Sequence, residues 1–199
     1  EEREKTLLYH DDHSEAVLEM AKRSMVLLKN EGNLLPLKKE QKNIVVIGDL
    51  ADDKNSPLGS WRLASDNGTA ISVTEGLDQY TKDYQFVQGP KIYNDEADFL
   101  HHVEIMDNPS GMEEAVAAAK NAEVVVMVLG EHGFMSGEGR SRTKIGLPGL
   151  QSELLRAVYE VNTNIVLVLM NGRPLTLTWE DEHIPTILEA WQLGSQSGH

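Results

Sequence analysis

The chain has 199 residues, 40% of them hydrophobic and 25% charged, which suits one globular domain with a substantial core and excludes a disordered segment. A formal net charge of −14, with no Lys/Arg-rich run, argues against nucleic acid and anionic membranes as partners and suits a neutral substrate better. The absence of cysteine removes disulfides, thiolate zinc sites and cysteine nucleophiles, and no apolar run reaches the ~18 residues of a membrane-spanning helix.

Residues 1–12 read as a linker or arm, whose start at Glu1-Glu2-Arg3-Glu4-Lys5 is charged and without an apolar signal core. This start and the end at His199 read as cut points. Asp12 with Glu15 resembles a capping box, and Ala16, Val17, Met20, Ala21, Ser24, Leu27 and Leu28 follow at helical spacing until Gly32 and Asn33. The β-branched run at 43–48 predicts a strand buried on both faces. Residues 52–68 form a long loop rich in Pro, Gly, Asn and Asp. Ser72 with Glu75 starts a helix, and 84–87 is a second strand. The acidic stretch 94–107 is either a helix or an excursion. Ser110 with Glu113 opens another helix, and 123–129 gives the strongest strand signal, a run of valines ending in Met127, Val128 and Leu129. Pro148 occupies a first helical turn before Leu150, Leu154, Leu155, Val158 and Val161. A strand at 165–170, a short helix near 177–182 and a strand at 186–190 complete the alternation. The pattern predicts a three-layer α/β/α sandwich with a mostly parallel sheet, flavodoxin-like or doubly wound, with 123–129 in its interior.

In such sheets ligands bind beyond the carboxyl ends of the strands. Two loops there are unusually long, one after Ile47 and one at 130–147. The second holds glycines, Glu131, Glu138, His132, Arg140 and Arg142, and it is expected to be mobile when nothing covers it. Glu138 stands between Gly137 and Gly139, so its side chain can project toward a ligand. A carboxyl in a partly dry sugar site can act as a general acid. The competing reading pairs Glu138 with Arg140 or Arg142 on an exposed loop. Trp61 can stack on a sugar or serve as a core or interface residue. Phe134 and Met135 can wall the same subsite or simply pack locally. Glu131, directly ending a strand, reads as structural. His10-Asp11-Asp12-His13 has metal-compatible groups, but at a helix start solvation and capping account for them.

The segment Ser136-Gly137-Glu138-Gly139-Arg140-Ser141-Arg142, followed by Ile145-Gly146-Leu147-Pro148-Gly149-Leu150-Gln151, resembles the acid/base loop of bacterial family 3 glycoside hydrolases. Val128-Leu129-Gly130-Glu131 before it resembles the family's preceding strand end, and four further blocks resemble that family, all in the family's order. The four are residues 24–37, Leu58-Gly59-Ser60-Trp61, Val168-Leu169-Met170-Asn171-Gly172-Arg173-Pro174-Leu175, and Ala190-Trp191 with Gly194 and Gly198. The resemblance covers residues 13–199 and implies the C-terminal α/β sandwich domain of a β-glucosidase, its end truncated. It implies Glu138 as acid/base, with Trp61, Phe134, Met135 and Arg142 as substrate-binding residues. It implies no metal and no cofactor. The partners it implies are a (β/α)₈ barrel carrying an aspartate nucleophile and a β-glucoside or oligosaccharide substrate, with a periplasmic or extracellular location. The nucleophile's Ser-Asp-Trp-like context is not in this chain, since Ser65-Asp66 is followed by Asn67. The chain alone is then expected to be inactive. Alternatives are a noncatalytic carbohydrate-binding or scaffold domain, or a β-xylosidase or exo-glycanase of the same family. A nucleotide-binding domain ranks lower, because no G-x-G-x-x-G or Walker loop follows a strand.

Overall fold

The structure, a computed structural model, describes residues 2–62, 65–94, 98 and 100–199. Among these residues the strands are β1 (Val26–Asn30), β2 (Ile44–Ile47), β3 (Tyr84–Val87), β4 (Val124–Gly130), β5 (Ile165–Met170) and β6 (Thr186–Glu189). They form one sheet in the order β1-β6-β5-β4-β2-β3. From β3 to β6 all neighbours are parallel, and β1 closes the far edge antiparallel to β6.

The valine-rich strands sit in the middle because every residue of β2 and β4 is buried, and only a sheet covered on both faces satisfies that. Alternate residues feed two cores. Val45, Ile47, Val125, Met127, Leu129, Leu167 and Leu169 pack under α4 (Met112–Ala119) and α5 (Gln151–Tyr159). Val46, Val124, Val126, Val128 and Val166 face Ala21 of α2 (Asp11–Ser24) and Val73 and Leu77 of α3 (Val73–Leu77). The predicted three-layer sandwich is therefore present, with the parallel strands in flavodoxin-like order. Two short helices remain. α1 (Glu2–Leu7) buries nothing, in keeping with an arm, and α6 (Thr178–His183) precedes β6. No helix among the described residues is long and apolar enough to cross a membrane.

Several predicted boundaries move. Leu27 and Leu28 are not helical: α2 stops at Ser24, Met25 turns extended, and residues 26–30 pair with β6. Ladder hydrogen bonds on the sheet edge outweigh the helical spacing of two leucines that stay half exposed. The cap of α2 is His10, whose Nδ1 accepts from the Asp12 N–H, rather than Asp12. Gly111, not Ser110, precedes α4. Pro148 lies before α5 instead of inside its first turn. Ser72 and Glu75 do form the reciprocal capping box predicted for α3. In the acidic stretch the described residues make an excursion, closed at its base by the Tyr93–Ile105 bridge; Asp95, Glu96, Ala97 and Phe99 lie outside the described residues.

The central position of β4 gives a stability prediction. Leu129→Ala, inside the core, is expected to cost about 2–5 kcal/mol in urea unfolding, whereas Leu27→Ala on the exposed edge costs less than about 1 kcal/mol. Equal costs at the two sites contradict this account of the sheet.

Candidate active site

After β2 the chain crosses to β3 on one side, while β4 lies on the other, so the loops beyond β2 and β4 part and leave a crevice between them. The loop beyond β2 is anchored by Asp53. Its buried carboxylate accepts from the N–H groups of Asn55 at 2.6 Å and Ser56 at 3.0 Å, from the Ser56 hydroxyl, and from the Tyr93 hydroxyl at 2.8 Å. Ser56 Oγ in turn accepts from the Gly133 N–H at 3.1 Å, which joins the two long loops.

The loop beyond β4 is held at its root by Gln151. Its Nε2 donates to the carbonyls of Gly130 at 2.7 Å and Pro148 at 2.9 Å, and its Oε1 accepts from the Gly130 N–H at 2.8 Å. Glu131 follows with a side chain 0% exposed, its oxygens paired with Arg142 Nη1 at 2.5 Å and Arg173 Nε at 3.0 Å. A buried carboxylate needs such compensation, and this one has it twice. Gly133–Met135 make a 3₁₀ turn capped by His132, whose Nδ1 accepts from the Phe134 N–H at 3.2 Å. Residues 130–136 of this loop are buried, and the stretch at 137–145 is the part that stands toward solvent.

Glu138 occupies the tip of that stretch. The Arg140 N–H donates to the Gly137 carbonyl at 3.2 Å, closing a turn with Glu138 and Gly139 at its corners. Gly139 has φ +70°, a conformation unfavourable for other residues. Gly137 has φ +113°, which L side chains rarely adopt, and a Cβ there would crowd Ser60 Oγ at 2.7 Å, so glycine suits the close approach of the tip to the loop beyond β2. Both flanking glycines thus serve to present the glutamate between them.

Ser60, Trp61, Phe134, Ser136, Glu138 and Arg140 line a pocket of about 260 Å³. Three predicted site residues, Trp61, Phe134 and Glu138, therefore meet in one place. Trp61 is 63% exposed, and the Arg62 guanidinium lies 4.8 Å over the Phe134 ring. Two others are elsewhere. Met135 packs into the core on the α2 side, and Arg142 turns back to Glu131 and to the Gly146 carbonyl at 3.3 Å. Among the described residues no hydrogen bond or ion pair engages the Glu138 carboxylate, while Arg140 reaches His102 Nδ1 at 3.2 Å. The exposed ion pair that competed with the functional reading of Glu138 is thus not formed with Arg140 or Arg142. Ser60, Ser136 and Arg140 complete the lining, and Asp53, Ser56 and Arg173 support it. A larger concavity of about 740 Å³, between α2 and residues 191–194, is mostly apolar and holds no titratable side chain.

With this geometry in place, comparison with known proteins is informative. The profile of the Glycosyl hydrolase family 3 C-terminal domain matches residues 25–199. A periplasmic beta-glucosidase of Salmonella typhimurium is 40% identical over 198 residues, covering 94% of this chain and 26% of the relative. A beta-xylosidase of Formosa agariphila is 33% identical over 193 residues, covering 94% of this chain and 25% of the relative. The crystal structure of a beta-glucosidase from Listeria innocua superposes with a TM-score of 0.83 at 31% identity, covering 98% of this chain and 25% of that one. The chain thus spans about a quarter of the length of the relatives it matches.

His132, beside the pocket, makes the site sensitive to acid. Burial holds its pKa down to about 4 from 6.5, with the Arg62 cation adding to the effect and the Asp53 anion opposing it. Between about pH 6.5 and 4 the unfolded chain therefore binds more protons at His132 than the folded chain does. Its contribution to stability is intact near pH 7 and declines as the pH falls. Burial raises the pKa of Glu189, which acts in the opposite sense, binding a proton in the folded state and losing stability as the pH rises. Comparing wild type with His132→Asn, which keeps a capping acceptor, isolates the histidine. Denaturant unfolding at pH 7 and pH 5 should show wild type losing on the order of 2 kcal/mol more than the variant between the two. Parallel losses in the two proteins remove His132 from the acid response.

Proposed function

The chain belongs to glycoside hydrolase family 3 as a C-terminal domain of that family, and from this we propose that it is the acid/base-bearing part of a longer, retaining β-glucosidase. The observation that carries the proposal is the placement of Glu138. It is presented between two glycines, unpaired among the described residues, in a pocket shared with Trp61 and Phe134. That arrangement suits a proton donor at the leaving-group side of a sugar.

A retaining glycosidase needs two carboxyls about 5–5.5 Å apart, one nucleophile and one acid/base. Glu138 is the second. The first, an aspartate, would come from a barrel domain elsewhere in the enzyme. In the first step Glu138 donates its proton to the departing glycosidic oxygen while the aspartate forms a glycosyl ester. In the second step the Glu138 carboxylate removes a proton from water, which attacks the anomeric carbon and releases the sugar with retained configuration. Trp61 and Phe134 would hold the leaving group. Arg142 serves by fixing the loop through Glu131, and Met135 by packing beneath it. No residue of the pocket contributes to a nonreducing-end sugar site in this scheme, so the choice between a glucoside and the xyloside suggested by the beta-xylosidase relative rests with the other domain. The periplasmic relative supports a periplasmic or extracellular setting.

The test is Glu138→Ala in the full-length enzyme. Hydrolysis of an unactivated disaccharide should fall about 10²–10⁴-fold. An aryl glycoside with a good leaving group should keep a fast first step and stall at deglycosylation. Azide, which needs no base, should restore turnover and give a β-glycosyl azide. Glu131→Ala should show no such rescue, and the 199-residue chain alone should turn over neither substrate. Disaccharide hydrolysis left nearly unchanged by Glu138→Ala rules out the assignment.

A further inference from the structure

Arg173 lies just past β5, and among the described residues its side chain donates only to the β4 loop. Nε donates to Glu131 Oε2 at 3.0 Å. Nη2 donates both to the Met135 carbonyl and, at 2.8 Å, to the Arg140 carbonyl. Those two carbonyls bracket Ser136, Gly137, Glu138 and Gly139. One guanidinium nitrogen therefore pins both feet of the turn that presents Glu138, and the buried Glu131 fixes the guanidinium in turn. Arg142 secures the outgoing strand of the same loop through the other Glu131 oxygen and the Gly146 carbonyl. We infer that Arg173 is the positioning residue of the acid/base, setting the place of Glu138 relative to the sheet by clasping the loop at Met135 and Arg140.

The inference rests on the proposed role of Glu138 and adds the element that aims it. Arginine is required by geometry. A planar fork can face a carboxylate with one nitrogen and two carbonyls with another, whereas a lysine ammonium gathers its three donors on a single nitrogen that cannot span both sites. Without the clasp the turn keeps its covalent ends but loses the restraint at its feet. Misplacement by about 1 Å is enough to cost a proton transfer up to ~10²-fold.

The experiment is a substrate-resolved double-mutant cycle in the full-length enzyme, read as kcat/KM for an unactivated disaccharide and for a dinitrophenyl glycoside that departs without protonation. Arg173→Met should lower the disaccharide value about 10–100-fold and the dinitrophenyl value less than about 3-fold. Arg173→Lys should fall between wild type and Arg173→Met. In the Glu138→Ala background, adding Arg173→Met should change the disaccharide value less than about 2-fold, because the group Arg173 acts through is gone. Amide exchange at Gly139 and Arg140 should rise about tenfold in Arg173→Met with the β4 amides unchanged. If Arg173→Met gives no folded enzyme, Arg173→Lys must show the same substrate split at smaller size. Equal losses on both substrates, or the same loss with and without Glu138, overturn the positioning role while leaving Glu138 as acid/base. A Glu138→Ala enzyme that treats the two substrates alike overturns both.

Discussion

A strand buried on both faces and paired along both edges has nowhere to present chemistry except its ends. β4 is in that position: all seven residues are buried, with β2 on one side and β5 on the other. Its carboxyl end also falls where the strand order reverses, so the chain leaving β2 moves away and does not cover it. The pocket with Glu138 follows from this constraint. The segment after Gly130 must be irregular, it faces the diverging loop after β2, and the two are joined by the Ser56–Gly133 hydrogen bond.

The charges around this end divide into two kinds. Glu131, Asp53 and His132 are buried, and each is answered locally: Glu131 by two guanidiniums, Asp53 by two N–H groups and two hydroxyls, His132 by staying neutral so that Nδ1 can accept. Removing a partner from any of them strands a polar group away from water, so they rigidify the loop. Glu138 is of the other kind, exposed at a turn tip and answered by nothing among the described residues. A loop that is rigid at its feet and open at its tip suits a side chain whose partner is a passing substrate.

How much of this was readable in advance follows from the range of the interactions. Two-sided apolar strands announce themselves locally, so β2, β4 and β5 were legible, as was the capping box of α3, which spans four residues. The projection of Glu138 from a turn was legible because its two glycines are adjacent to it. Leu27 and Leu28 were misread because their fate depends on β6, some 160 residues away in sequence. The same limit hid Arg173. Its meaning depends on which carbonyls of another loop lie beside it, and no local spacing encodes that. Arg142 and Met135 were placed in the right loop but facing the wrong way, because a loop lacks the periodicity that tells in from out.

If the proposed function holds, the long-range contacts explain how one domain can carry half of a reaction. Under the proposed function the two carboxyls belong to separate domains, and their spacing must still be kept near 5–5.5 Å. If the tip were shaped only by the opposing domain, each closure would have to order a glycine-rich turn, at a cost of about 1–2 kcal/mol for every residue fixed. The clasp by Arg173, the Gln151 bonds at Gly130 and the Ser56–Gly133 bond order the feet beforehand, within this chain. What remains for the other surface is to cover Trp61 and Glu138 and exclude water from the pocket. Under the proposed function, that division places precision in the fold described here and leaves dryness and sugar choice to the domain that would meet it.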